Sequence, residues 1–165
     1  MIEFTKEWFL KAKIDLHLDT VITSIDTNKK TIIAKKKDNS FVEQKYDSLI
    51  IATGSNPTIP PIKNITNNQN LISGIFTIRT IYDAQKVLDF LQETTHATVV
   101  GAGLIGLEMA DCLFHKRKKV TIVEALPHIL PMLDEDISRI VEDKIQEYLT
   151  LYANHYAMEI KANEQ

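Results

Sequence analysis

The stretch TVVGAGLIGLEMADCLFHKRKKVTIVEA, from Thr98 to Ala125, holds three of the chain's five glycines between two apolar runs. No other feature restricts the fold so much. Thr98–Val100 is a β-rich apolar run that stops at Gly101, Leu104–Phe114 carries strong helix formers without a breaker, and Val120–Glu124 is a second apolar β-type run. The order predicts strand, tight turn, helix and strand within about 30 residues, the opening of a parallel sheet with a crossover helix. Gly101, Gly103 and Gly106 stand as G-x-G-x-x-G at the first strand-to-helix junction. In that pattern the first glycine makes the turn, the second lets the backbone approach a pyrophosphate, and the third lets helix and strand pack closely.

A helix that begins at Leu104 leaves its first-turn amides without intrahelical acceptors, at the positive end of its dipole. A diphosphate is stabilised there without any lysine, so Gly101, Ala102, Gly103, Leu104, Ile105 and Gly106 form the candidate nucleotide cradle. Glu124 closes the second strand 18 positions after Gly106. A carboxylate at roughly 20 residues from the fingerprint meets the ribose 2′-hydroxyl of an adenine dinucleotide and repels a 2′-phosphate. No arginine follows in ALPHILPML, so NAD(H) is expected over NADP(H).

The other segments carry simpler signals. Ile14–Leu18, Thr20–Thr27, Lys30–Lys36 and Ser40–Lys45 are short β-type runs separated by polar turns such as Thr27-Asn28-Lys29 and Lys37-Asp38-Asn39, the pattern of an antiparallel meander. Ser48–Ile62, SLIIATGSNPTIPPI, reads as an apolar strand running into Ala52-Thr53-Gly54 and a proline-rich loop. Thr80 and Asp83 have capping-box spacing before the helical stripe Ala84, Val87, Leu88 and Leu91. Asp134 or Asp136 is the expected cap of a further helix with the stripe Ile137, Ile140, Val141, Ile145 and Tyr148, and LTLYA from Leu149 is the expected third parallel strand.

Composition excludes several function classes. The formal charge of −3, with Lys and Arg spread along the chain, offers no basic face for nucleic acid. No apolar run reaches the roughly 18 residues of a membrane span, and MIEFTKEWFLKAK is too charged for a secretory signal. A single cysteine cannot form an internal disulfide, so a cytoplasmic location is expected. The five histidines lack ligand-like spacing, and no metal is assigned. Cys112 lies among Met109, Leu113 and other apolar residues and is expected to pack in the interior.

YDSLIIATGSNPTIPPI, FTIRTIYDA, VVGAGLIGLEMA and VTIVEALPHILPMLD, in this order and spacing, resemble the pyridine nucleotide-disulfide oxidoreductases, in particular the NADH oxidase, coenzyme A-disulfide reductase and rubredoxin reductase branch. The resemblance spans nearly the whole chain and implies an α/β protein. It would be a partial FAD/NAD(P)-binding, Rossmann-like fold of the glutathione reductase type, with an antiparallel meander before a parallel βαβαβ NAD half-domain. Residues 1–79 would be the C-terminal part of an FAD-binding domain and residues 80–165 the N-terminal part of an NAD-binding domain. The family's first FAD fingerprint, interface domain and reactive cysteine have no counterpart in this chain, so it is expected to be part of a longer enzyme, in full length a homodimer.

By position, Ala52, Thr53, Gly54 and Arg79 would face FAD, and Gly101 to Gly106 with Glu124 would hold NADH. Glu108 has two readings: the family glutamate near the nicotinamide and flavin rings, or a solvated helix residue. Relatives have glycine where HKRKKV offers Arg117, so the end of that helix is expected to be reshaped or frayed. The functional expectation is part of an FAD-dependent NADH oxidoreductase. The alternative is a non-catalytic NAD(H)-binding or interaction module without a redox centre.

Overall fold

The computed structural model describes residues 4–161, and its backbone divides into two compact units, Met1–Gly54 and Ser55–Gln165. Among the described residues no helix is long and apolar enough to cross a membrane.

The first unit opens with a short helix, α1 (Lys6–Lys11), in a segment for which no helix was expected. The Thr5 hydroxyl at its N-cap accepts the Trp8 amide. The meander follows as β1 (Thr20–Asp26), β2 (Thr31–Lys36) and β3 (Phe41–Lys45), paired antiparallel in that order. Its turns lie where the polar clusters put them. The Asp26 carboxylate accepts the amides of Asn28 and Lys29, the Asp38 carboxylate accepts the Ser40 amide and hydroxyl, and Asn39 takes a left-handed conformation. The two Ser40 bonds favour the ionised form of Asp38 and hold its carboxyl below the usual range.

Two expected strands do not form. Ile14–Leu18 and Ser48–Ala52 are irregular, with Ile50 88% and Ile51 69% exposed. A β-run becomes a strand only where a neighbouring ladder accepts its backbone groups, and among the described residues no strand pairs with either segment.

The second unit begins with a small hairpin, β4 (Thr66–Asn67) and β5 (Asn70–Leu71). α2 (Ile81–Phe90) follows, opened by the expected capping box. The Thr80 hydroxyl accepts the Asp83 amide at 3.2 Å while Asp83 accepts the Thr80 amide at 2.8 Å. Then come β6 (His96–Val100), α3 (Leu104–His115), β7 (Lys119–Val123), α4 (Glu135–Ile145) and β8 (Thr150–Tyr152). The strands pair in parallel in the order β6-β7-β8, with Val100 beside Val123 and Val123 beside Tyr152. This is the expected parallel βαβαβ order. Its core gathers Ala110 and Leu113 of α3, Val120 and Ile122 of β7, Ile129 and Leu130 of the following loop, and Ile145 and Leu149.

The helices differ from the sequence reading in four places. Cys112 is exposed, not packed: α3 turns Ala110 and Leu113 onto the sheet, and Cys112 falls on the other side. On α4 the buried residues are Ser138 and Ile145 with Val141 half-buried, whereas Ile137 and Ile140 face out. The small Ser138 lets the helix sit close to the loop beneath it, and its hydroxyl approaches the Leu130 carbonyl at 3.5 Å. Asp134 is the N-cap by position but its side chain makes no capping bond. The end of α3 is neither frayed nor reshaped. Arg117 sits at φ +59, its amide donates to the Phe114 carbonyl and the Lys118 amide to the Leu113 carbonyl, a complete Schellman motif with arginine in the glycine position.

Candidate functional site

The turn after β6 is built from its backbone outward. Gly101 has φ +101, and its amide donates to the Val123 carbonyl at 2.8 Å, which closes the end of the β6-β7 ladder. Ala102 is wholly buried, and both sides of its peptide are engaged: its amide donates to Glu124 Oε2 at 2.6 Å, and its carbonyl accepts the Leu130 amide at 3.0 Å. Gly103 is the N-cap of α3 in an extended conformation, without a side-chain cap. The first intrahelical bond there runs from the Leu107 amide to the Gly103 carbonyl. The amides of Leu104, Ile105 and Gly106 therefore have no intrahelical acceptor and form the exposed positive end of a 12-residue helix.

The glycines divide by what a side chain would meet. A Cβ on Gly106 would lie 2.0 Å from the Gly101 carbonyl oxygen, so this glycine lets α3 cross the turn at close range. A Cβ on Gly103 would meet nothing within 4 Å. Gly106 thus serves the packing of the fold, while the space at Gly103 is open and lies beside uncommitted N–H donors. That geometry fits the diphosphate of a dinucleotide.

Glu124 follows β7 directly and is only 8% exposed. One carboxylate oxygen accepts the Ala102 amide and the other accepts the Leu126 amide at 2.8 Å. Each oxygen keeps a further lone pair, so the group is a fixed acceptor for hydroxyl donors at the carboxyl end of the sheet. Its anchoring to the glycine turn was not legible in the sequence, nor was the part played by the 125–134 loop. In that loop Leu130 adopts φ +50 and reaches the Ala102 carbonyl, while Ile129, fully buried, donates its amide to Glu142 of α4 at 2.9 Å. Pro127 and Pro131 flank this His128–Leu130 segment.

The remaining candidates lie as follows. Leu104 and Ile105 expose their side chains in the first turn of α3. Glu108 is exposed one turn further on, and among the described residues no hydrogen bond or ion pair engages it. Arg79 is exposed, its amide donating to the Asp83 carboxylate at 3.1 Å just before the α2 cap. Ala52, Thr53 and Gly54 are exposed in irregular backbone at the end of the first unit, with Gly54 at φ +75.

A family model described as pyridine nucleotide-disulphide oxidoreductase matches residues 7–165. The chain belongs to this family. An NADH oxidase of Methanocaldococcus jannaschii is 36% identical over 139 residues, which is 82% of this chain and 30% of that protein. The solved structure of an NAD-dependent persulfide reductase from A. fulgidus superposes with a TM-score of 0.78 at 31% identity, over 94% of this chain and 28% of its own. An engineered water-forming NADPH oxidase bound to NADPH, at 20% identity, shares the fold with a TM-score of 0.75 over 93% of this chain and 34% of its own. The chain thus spans about a third of the length of these relatives. Family members use FAD and NAD(P)H.

Proposed function

We propose that this chain binds NADH and forms the dinucleotide-holding part of an FAD-dependent NADH oxidoreductase. The observation that carries the reading is the open space at Gly103, beside uncapped first-turn amides and a carboxylate already fixed by the Ala102 and Leu126 amides. The pyrophosphate would lie on the Leu104 and Ile105 amides and the adenosine ribose against Glu124. The bound nicotinamide supplies a hydride. The protein's share is to hold the dinucleotide in one orientation and, through Glu124, to accept hydroxyl hydrogen bonds that a 2′-phosphate cannot offer.

The NADPH-binding neighbour supports the role of Glu124. Its described substitutions replace a glycine, an aspartate 18 positions later, and the alanine, methionine and proline one, two and seven places after that. Gly106, Glu124, Ala125, Leu126 and Pro131 repeat this spacing. Residues 1–79 would belong to the FAD-binding side, with Thr53, Gly54 and Arg79 toward flavin and Glu108 toward the nicotinamide. Residues 80–165 would belong to the NAD side, in a cytoplasmic enzyme that is a homodimer in full length. Calorimetric titration with NADH and NADPH tests the reading: NADH binds more tightly, and equal or tighter NADPH binding refutes it.

One observation favours a second reading, a non-catalytic NAD(H)-binding module: the exposed, irregular backbone at Ala52–Gly54. Sequencing the DNA that flanks the reading frame separates the two: a second glycine-rich dinucleotide fingerprint just upstream supports the enzyme part, and its absence supports the module.

A further inference from the structure

The dinucleotide cradle has a support on a helix distant in sequence. Glu142 lies in the last turn of α4, its side chain only 14% exposed. Its Oε1 accepts the amide of Ile129 at 2.9 Å and lies 3.5 Å from His128 Nδ1. The Ile129 side chain is fully buried in the core, so this segment is held from the side-chain and the backbone direction at once. The next residue, Leu130, is kept in the left-handed region, a conformation costing a non-glycine residue on the order of 1 kcal/mol. In that conformation its amide reaches the Ala102 carbonyl at 3.0 Å. Ala102 lies between Gly101 and Gly103, and its other side is bound by Glu124.

We propose that Glu142 is a positioning residue for dinucleotide binding, acting through Ile129 and Leu130 on the Ala102 peptide. The inference rests on the NADH reading above. A charged acceptor on a backbone amide is among the stronger hydrogen bonds, and its loss frees a strained segment to relax. The turn would then lose the donor on its carbonyl side, and the amides that face the diphosphate would no longer be held in one direction. His128 stands at the outer end of the same contact. Its Nε2 is 3.3 Å from Glu135, which is itself paired with Arg139, so Glu142, Glu135 and Arg139 are the charged groups facing it.

The test uses the full chain with Glu142→Ala, Glu142→Asp and Glu142→Gln, each checked for native circular dichroism at the working temperature. Asp keeps the charge but withdraws the oxygen by one methylene. Gln keeps a carbonyl oxygen within reach of the Ile129 amide. Glu142→Ala and Glu142→Asp should weaken NADH binding about tenfold, equivalent to ~1.4 kcal/mol, and should speed hydrogen exchange at the Leu130 amide. Glu142→Gln should restore both to near the starting values. Unchanged NADH affinity in folded Glu142→Asp, an unchanged Leu130 exchange rate, or failure of Gln to rescue overturns the inference. Should Glu142→Ala not fold, the Asp and Gln pair decides alone. If the unaltered chain shows no NADH binding, the parent reading fails, and the inference falls with it for that separately visible reason.

Discussion

Two of the three fingerprint glycines should respond to substitution in opposite ways. A Cβ at Gly106 would stand 2.0 Å from the Gly101 carbonyl oxygen, whereas side-chain carbons stay beyond about 3.0 Å from such atoms. Gly106→Ala therefore forces α3 and the turn apart by roughly 1 Å, an overpacking cost of about 1–3 kcal/mol. The wider fingerprint tolerates alanine at this place, so the outcome is a shifted helix, read as a fall in Tm of about 3–10 °C for a chain of this size. At Gly103 the arithmetic reverses. Its φ of −75 suits any residue, nothing lies within 4 Å of its Cβ, and a valine costs only the weaker N-cap, ~1 kcal/mol.

The valine methyls would nevertheless fill the space proposed for the pyrophosphate, and NADH affinity should fall more than about 100-fold, ~2.7 kcal/mol. Thermal unfolding followed by circular dichroism gives the first quantity and calorimetric titration the second. If Gly103→Val unfolds as readily as Gly106→Ala, or binds NADH like the unaltered chain, the division between a packing glycine and a ligand glycine is wrong.

Glu124→Ala should narrow the NADH preference and also destabilise the nucleotide-free chain by about 1–3 kcal/mol, because the buried Ala102 amide and the Leu126 amide both lose their acceptor; urea unfolding without ligand isolates the second effect. Arg117→Gly should stabilise the chain by about 0.5–1 kcal/mol by relieving the left-handed arginine, less what the unfolded chain gains in freedom. A fall in Tm there would show that the arginine side chain compensates its backbone. Hydrogen bonds from the Thr80 amide and hydroxyl, the former the larger influence, hold the Asp83 carboxyl below its usual range. Its contribution is therefore present above the unfolded carboxyl value and is lost as pH falls through the depressed folded one. Stability measured from pH 7 down to pH 3 should drop less steeply in Asp83→Asn, and an identical slope would dismiss the capping role.

The parallel strands, the helices beside them and the capping box of α2 were legible because they rest on short-range chemistry. A glycine turn, a threonine with aspartate three places on and a run of β-branched residues carry their geometry within a few positions of sequence. Glu124 was legible as a strand-end carboxylate for the same reason. The faces were not. Periodicity put Ile137 and Ile140 of α4 inside and apolar neighbours put Cys112 of α3 there, but rotation about a helix axis is settled by what the helix lies on, here a loop that Ser138 approaches closely and a sheet met by Ala110 and Leu113.

Nor can an apolar run declare itself a strand, since Ser48–Ala52 needs a neighbouring ladder that this chain does not place beside it among the described residues. The left-handed Arg117 survives because the Lys118-to-Leu113 and Arg117-to-Phe114 bonds, together with Val120 locked in the core, over-determine the turn. Short-range chemistry along the chain carried the order of the elements and the residue types of the candidate cradle. That Glu124 and Leu130 grip the two sides of the Ala102 peptide, and that Glu142 bonds the neighbouring Ile129 amide, rests on contacts across 22, 28 and 13 positions, which form only once the parallel sheet sets the carboxyl ends of its strands side by side.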